Sequence, residues 1–138
     1  MPAADTLSSG AIKLLQEPQL AHFVTIMADG SPQVTPVWVD VEPDGGHVLV
    51  NTADGRVKTN NVERDGRVAL SVVDAQNAWR YALVRGTIVE RRHEGAADHI
   101  DKLAKKYLGK DTYPYHREGE QRVILRIKPH HVIELGVE

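Results

Sequence analysis

Short β-branched runs separated by turn-forming clusters recur from residue 20 to the C-terminus, and that rhythm restricts the possible folds more than any other feature. Leu20 to Ala28 reads as a strand, and Asp29-Gly30 is a hairpin signal leading into the return strand Gln33–Val41. Val37, Val39 and Val41 alternate onto one face of that strand, while Pro36 lacks a ladder donor and marks an edge, bulge or bend. Pro43-Asp44-Gly45-Gly46 turns the chain into His47–Asn51. Two further strands, Arg67–Val73 and Trp79–Glu90, flank the polar turn Asp74–Asn77. Two last ones, Gln121–Ile127 and His131–Leu135, meet at Lys128-Pro129-His130. Helical periodicity is confined to Leu7–Glu17, Val57–Arg64 and Glu94–Leu108, and Gly109 fits the C-terminal cap of the third. The expected architecture is mainly β (α+β), with about six to seven antiparallel strands and short flanking helices in a single domain, residues 1–138. Long edges of such a sheet are liabilities, and closure into a small barrel removes them. A small barrel fills its own interior, so a ligand has to bind outside it, at a seam.

The stretch Asn51-Thr52-Ala53-Asp54-Gly55-Arg56-Val57-Lys58 places a strand end, a turn and a helix start in succession. Unpaired N–H groups and the positive dipole end gather at a helix start, where anions are stabilised and cations are not. Arg56 and Lys58 put two cations there, a small cost that makes sense if an anion sits between them. Asn51 and Thr52 at the strand end offer side-chain donors, so the segment reads as a phosphate clamp. The competing reading is an ordinary solvated helix face.

The chain has a net charge of −2 and no cysteine. That balance gives no electrostatic footprint for nucleic acid, and disulfides and thiolate metal sites are excluded. No apolar run approaches membrane-spanning length and no secretory leader pattern opens the chain, so no membrane association is expected and a cytoplasmic location is. The seven histidines show no convergent ligand spacing. His130 and His131 are sequential on a strand and His93 and His99 lie six apart on a helix, so no metal site is expected.

Four stretches carry a family resemblance: Asp29–Trp38, Gly55–Asn61, Arg64–Leu70 and Trp79–Thr87. In this order the chain resembles the split β-barrel flavin- and deazaflavin-binding proteins, relatives of pyridoxamine 5′-phosphate oxidase. Within them it is most similar to the short actinobacterial branch that uses coenzyme F420. The resemblance implies a homodimer with two cofactor sites at its interface. It implies that Arg56 and Lys58 hold the cofactor phosphate, supported by Asn61 and Thr52. The strand Thr35-Pro36-Val37-Trp38, with Gln33 before it, would contact the ring, and Trp38 reads as a buried anchor rather than a catalytic group. Trp79 and Tyr81, two apart on a strand, would cover the ring or wall the pocket from the partner chain, or only pack at the seam.

The implied activity is hydride transfer from the reduced deazaflavin to an enone, quinone or tetrapyrrole. Tyr81, His22 or water would supply the proton, although a packed strand histidine is the plainer reading of His22. The rivals are an FMN-dependent oxidase-like enzyme and a non-catalytic cofactor or haem carrier, the latter with His22, His116 or His131 as axial ligand. Lys102, Lys105 and Lys106, opposite the apolar stripe of the third helix, read as a soluble surface or as a landing strip for the acidic tail of F420.

Overall fold

The computed structural model describes residues 4–137. Its elements are α1 (Ser9–Gln16), β1 (Ala21–Ile26), β2 (Pro32–Val37), β3 (Val39–Val41), β4 (Val48–Ala53), α2 (Val57–Arg64), β5 (Arg67–Asp74), β6 (Asn77–Arg92), α3 (Ala96–Leu108) and β7 (Arg122–Leu135). All strand pairs are antiparallel, and the seven strands follow the order β2-β1-β5-β6-β7-β4-β3. The two edges, β2 and β3, are separated in sequence only by Trp38. Two residue steps span at most about 7 Å, so the edges must lie side by side. The sheet is therefore rolled into a barrel with one open seam, and Trp38 sits on that seam.

Two strand boundaries differ from the sequence expectation, and the differences cancel in the count. Gln33–Val41 is not one strand: it breaks at Trp38, because Val37 pairs with Ala21 and Val39 pairs with Val50 on the opposite edge. Gln121–Ile127 and His131–Leu135 are not two strands: β7 runs unbroken through Pro129. Arg85 pairs with His131 and Gly86 with Pro129, so His130 bulges out of β7 and the shift absorbs the missing proline donor. Gly86 is required there, since a Cβ would lie 2.3 Å from the Lys128 carbonyl oxygen. Gly86→Ala is expected to cost about 1–3 kcal/mol through forced backbone displacement. A urea titration showing an unchanged midpoint would contradict this account of the bulge.

Alternation decides which face of each strand is apolar. Val39, Val41, Val48, Val50, Val123, Leu125 and Ile127 point into the barrel with Phe23, Leu70, Val72 and Val84, and Leu14 and Leu15 of α1 join them. The opposite face of β4 and β7 is also covered: Leu49 and Ile124 pack against Ala96 of α3. All six β4 residues are consequently buried. A helix lying over the outside of the barrel thus creates a second interior layer. Polar side chains that alternate outward from β3, β4 and β7 meet α3 there. Gly109 ends α3 in a left-handed conformation (φ 71°), donating back to the carbonyls of Ala104 and Lys105.

No described helix is long and apolar enough to cross a membrane.

Candidate cofactor cleft

A cleft of about 320 Å³ opens beside the barrel seam. Its floor is Pro36, Val37 and Trp38 at the junction of β2 and β3, and Asn51 of β4. Arg56 and Lys58 at the start of α2 form one wall, and Arg122 at the start of β7 stands with them. Tyr113 and Tyr115, in the loop between α3 and β7, form the other. Trp38 is held from two sides: it stacks on Tyr107 at 5.1 Å with an interplanar angle of 5°, and meets Tyr113 edge-on at 5.8 Å. The Tyr107 hydroxyl donates to the Gln19 carbonyl (2.7 Å) and accepts the Val39 N–H (3.0 Å), tying α3 to the seam. Burial pushes its phenol up to about 12. The indole plane is therefore fixed before any ligand arrives.

The cationic wall is the unusual feature. Arg122 is 5% exposed and donates from Nε to Asn51 Oδ1 (2.9 Å) and from Nη1 to Glu120 (3.1 Å). It also lies over the Tyr113 ring at 5.1 Å. Arg56 reaches the other oxygen of Glu120 at 3.2 Å. Burial holds the Glu120 carboxyl up while Arg122 and Arg56 pull it down, and the net direction is down, so it is ionised. Lys58 is pushed below the ordinary lysine range by burial first, then by Arg56 and Arg122. Three cations thus face one cleft with one carboxylate among them. Arg56 is also the N-cap residue of α2 and makes no side-chain capping bond there, leaving the first-turn N–H groups without that partner. A bound anion relieves both conditions, the lysine's repulsion and the uncapped helix start.

Of the residues singled out in the sequence, the cleft gathers Pro36, Val37, Trp38, Asn51, Arg56 and Lys58. The others lie elsewhere. Asn51 and Thr52 are neighbours on a strand and cannot serve one ligand: Asn51 points outward to the cleft, whereas Thr52 is fully buried and its hydroxyl has no partner. Asn61 is 3% exposed and is spent internally, donating to Thr25 (3.0 Å) and accepting from Arg64 (2.9 Å). Gln33 joins the same group through Thr25 (3.3 Å) and Thr35 (2.8 Å). These side chains brace α2 against the β1–β2 hairpin.

Trp79 is 76% exposed, Tyr81 is half-buried and neither lines the cleft. His22 lies instead in a mostly apolar groove with Val24, Val34, Leu83, His131 and Ile133. Trp38, read as a buried anchor, is half-buried and lines the cleft. The lysine strip on α3 does not form. Lys106 turns inward to the carbonyls of Leu15 and Val39, each at 2.6 Å, and burial lowers its ammonium to about 8. Lys102 and Lys105 face Asp40 (3.9 Å) and Asp111 (3.4 Å).

Arg122, Tyr113 and Tyr115 were not visible as site residues from sequence. Arg122 opens an apolar strand, and a charge at that boundary looks like surface. The tyrosines occupy a loop whose path depends on contacts with Trp38 and with Asp101, which accepts the Tyr113 N–H (2.8 Å).

Residues 11–136 match the pyridoxamine 5′-phosphate oxidase family. A solved structure named F420 reductase is similar at 27% identity and a TM-score of 0.79, covering 92% of this chain and 98% of that one. Two others show the same fold at lower identity. One is a putative pyridoxamine 5′-phosphate oxidase of Lactobacillus delbrueckii (24%, TM-score 0.66, 94% of this chain and 95% of that one). The other is a conserved hypothetical protein of Mycobacterium tuberculosis (21%, TM-score 0.71, 98% and 89%). Seven antiparallel strands rolled around a split seam, three flanking helices and a family match over nearly the whole length agree: this chain belongs to the pyridoxamine 5′-phosphate oxidase family and has its flavin-binding oxidoreductase fold.

Proposed function

We propose that the protein is a coenzyme F420-dependent reductase acting on an enone, quinone or tetrapyrrole. The observation that carries this reading is the convergence of Arg56, Lys58 and Arg122 on a cleft floored by a clamped indole. Such a cleft suits a ligand with a planar ring at one end and a phosphate at the other. The likeness to the F420 reductase structure favours the deazaflavin over FMN. When bound, the reduced deazaflavin supplies the hydride; the chain supplies position and electrostatics. Arg56, Lys58 and Arg122 hold the phosphate by charge-assisted hydrogen bonds. Trp38 and the Pro36–Val37 backbone set the ring plane, and Tyr113 and Tyr115 shield it from water. Tyr81 and His22 both lie outside the cleft of their own chain, so the proton comes from water or from Tyr81 of a second copy.

The functional unit in this reading is a homodimer. Val34 (60% exposed), Leu83 (38%), Val73 (37%) and Trp79 (76%) lie on the outer face of β2, β5 and β6, an apolar surface that a second copy would cover. Trp79 and Tyr81 would then approach the partner's cleft.

Titration of the purified protein with oxidised F420 and with FMN, followed by fluorescence, tests the cofactor assignment. Tighter binding of F420, and turnover of an enone or quinone with the reduced form, are expected. Preferential retention of FMN moves the protein to the FMN-dependent branch. Binding without turnover makes it a carrier.

A further inference from the structure

Behind the cleft, in the layer between the barrel and α3, one hydrogen-bonded chain links four elements. Asp40 of β3 accepts from His99 Nε2 (2.9 Å), and His99 Nδ1 lies 3.0 Å from Asn51 Nδ2. Asn51 Oδ1 then accepts from Arg122 Nε (2.9 Å). The His99 and Asp40 side chains are only 9% and 11% exposed. Donor and acceptor chemistry permits one arrangement. Arg122 can only donate, so Asn51 must turn its oxygen to it. The Asn51 amide nitrogen, already donating to the Ala96 carbonyl (2.9 Å), then needs an acceptor in His99 Nδ1. The imidazole proton therefore lies on Nε2, facing Asp40. The other Asp40 oxygen accepts the Val41 N–H (2.9 Å). Burial raises the Asp40 carboxyl, but His99, Val41 and Lys102 outweigh it, so the group stays ionised.

From this we infer that His99 is a positioning residue for the cleft. As neutral imidazole it holds the Asn51 amide in the one orientation that anchors Arg122. A protonated His99 presents N–H groups from both nitrogens, and the Nδ1 side then opposes the Asn51 amide donor. The contact breaks, and Arg122 loses its Nε anchor while keeping Glu120. Other charged groups facing this imidazole are Asp40 from β3, with Lys102 3.9 Å from it, and Arg92, Glu94 and Asp98 along the groove outside α3. Asp40 and the two further carboxylates favour protonation; Lys102, Arg92 and the Asn51 amide donor oppose it. The balance couples solution pH to the geometry of the cationic wall.

The functional consequence rests on the cleft being the cofactor site, but the device itself is testable without ligand. In the ligand-free protein, ¹⁵N imidazole shifts are expected to show the proton on His99 Nε2. The Arg122 Nε–H resonance is expected to move with the same midpoint as His99 titrates. His99→Asn keeps an acceptor near the Nδ1 position and cannot be protonated, so its Arg122 resonance should stay fixed across that range. His99→Ala should show the displaced resonance at every pH. For oxidised F420, affinity in the wild type should fall roughly fivefold across the same transition, as for loss of one hydrogen bond of about 1 kcal/mol. It should not fall in His99→Asn. A proton found on Nδ1, an Arg122 resonance that ignores the titration, or equal movement in His99→Asn overturns the inference. Failure of F420 to bind while the resonances behave as described counts against the cofactor assignment alone.

Discussion

The Arg56→Ala/Lys58→Ala double variant is expected to bind oxidised F420 about 2–4 kcal/mol more weakly than the wild type, roughly a 30- to 700-fold loss. The ligand-free protein should move the other way. Lys58 is repelled by Arg56 and Arg122 in the absence of an anion, and both residues sit at the uncapped positive end of α2. Removing them relieves a penalty of about 0.3–1 kcal/mol from the helix dipole. Arg56 also gives up a contact with Glu120, but the Arg56 side chain is 43% exposed and Glu120 retains Arg122, so the loss is small. Weaker binding with equal or greater stability is the signature of a site that stores electrostatic strain for its ligand. Fluorescence titration and urea unfolding on the same two proteins supply both numbers. Parallel loss of binding and stability would instead make the pair an ordinary structural contact.

Arg122→Met carries the second large effect, and its sign depends on which of two forces is greater. Losing a third cation relaxes the repulsion on Lys58. It also takes the donor from Asn51 Oδ1 and the nearer cation from the Glu120 carboxylate, whose side chain is 7% exposed and which keeps only the part-exposed Arg56. Breaking a buried pair from one side costs about 3–5 kcal/mol, whereas the repulsion acts across an open cleft where water screens it. Net destabilisation of a few kcal/mol is the expected result in urea unfolding. Arg122→Met/Glu120→Gln should recover part of it, because the remaining side chain no longer carries a buried charge. A loss below about 1 kcal/mol, or no recovery in the double variant, contradicts the description of Arg122 as a buried anchor.

Local chemistry made most of the elements readable. Val37, Val39 and Val41 alternate because they line the barrel, and Asp29-Gly30 turns the first hairpin where a turn was expected. Non-local geometry decided the rest. Nothing at Trp38 itself marks a strand break; it follows from the two sheet edges meeting there. Pro129 looks like a strand end until it pairs with Gly86, forty-three positions earlier, across a bulge at His130 that lets β7 continue.

The site divides in the same way. Arg56 and Lys58 were legible because cations at a helix start are locally anomalous. Thr52 reads as a donor from its place at the strand end and Asn61 from the family resemblance; alternation and helix packing turn both away from the cleft. Arg122 lies seventy-one residues downstream of Asn51, and only the pairing of Ala53 with Arg122 brings it to the cleft. Tyr113 owes its place to Trp38 and Arg122, contacts that exist only in the folded chain.

The most direct test of the cationic cleft is a crystal structure of the protein with oxidised F420 bound. The expected result is the phosphate within hydrogen-bonding distance of Lys58 Nζ and the Arg56 guanidinium, with the ring against Trp38. Density for the phosphate at any other surface, with these side chains unliganded, would contradict the assignment.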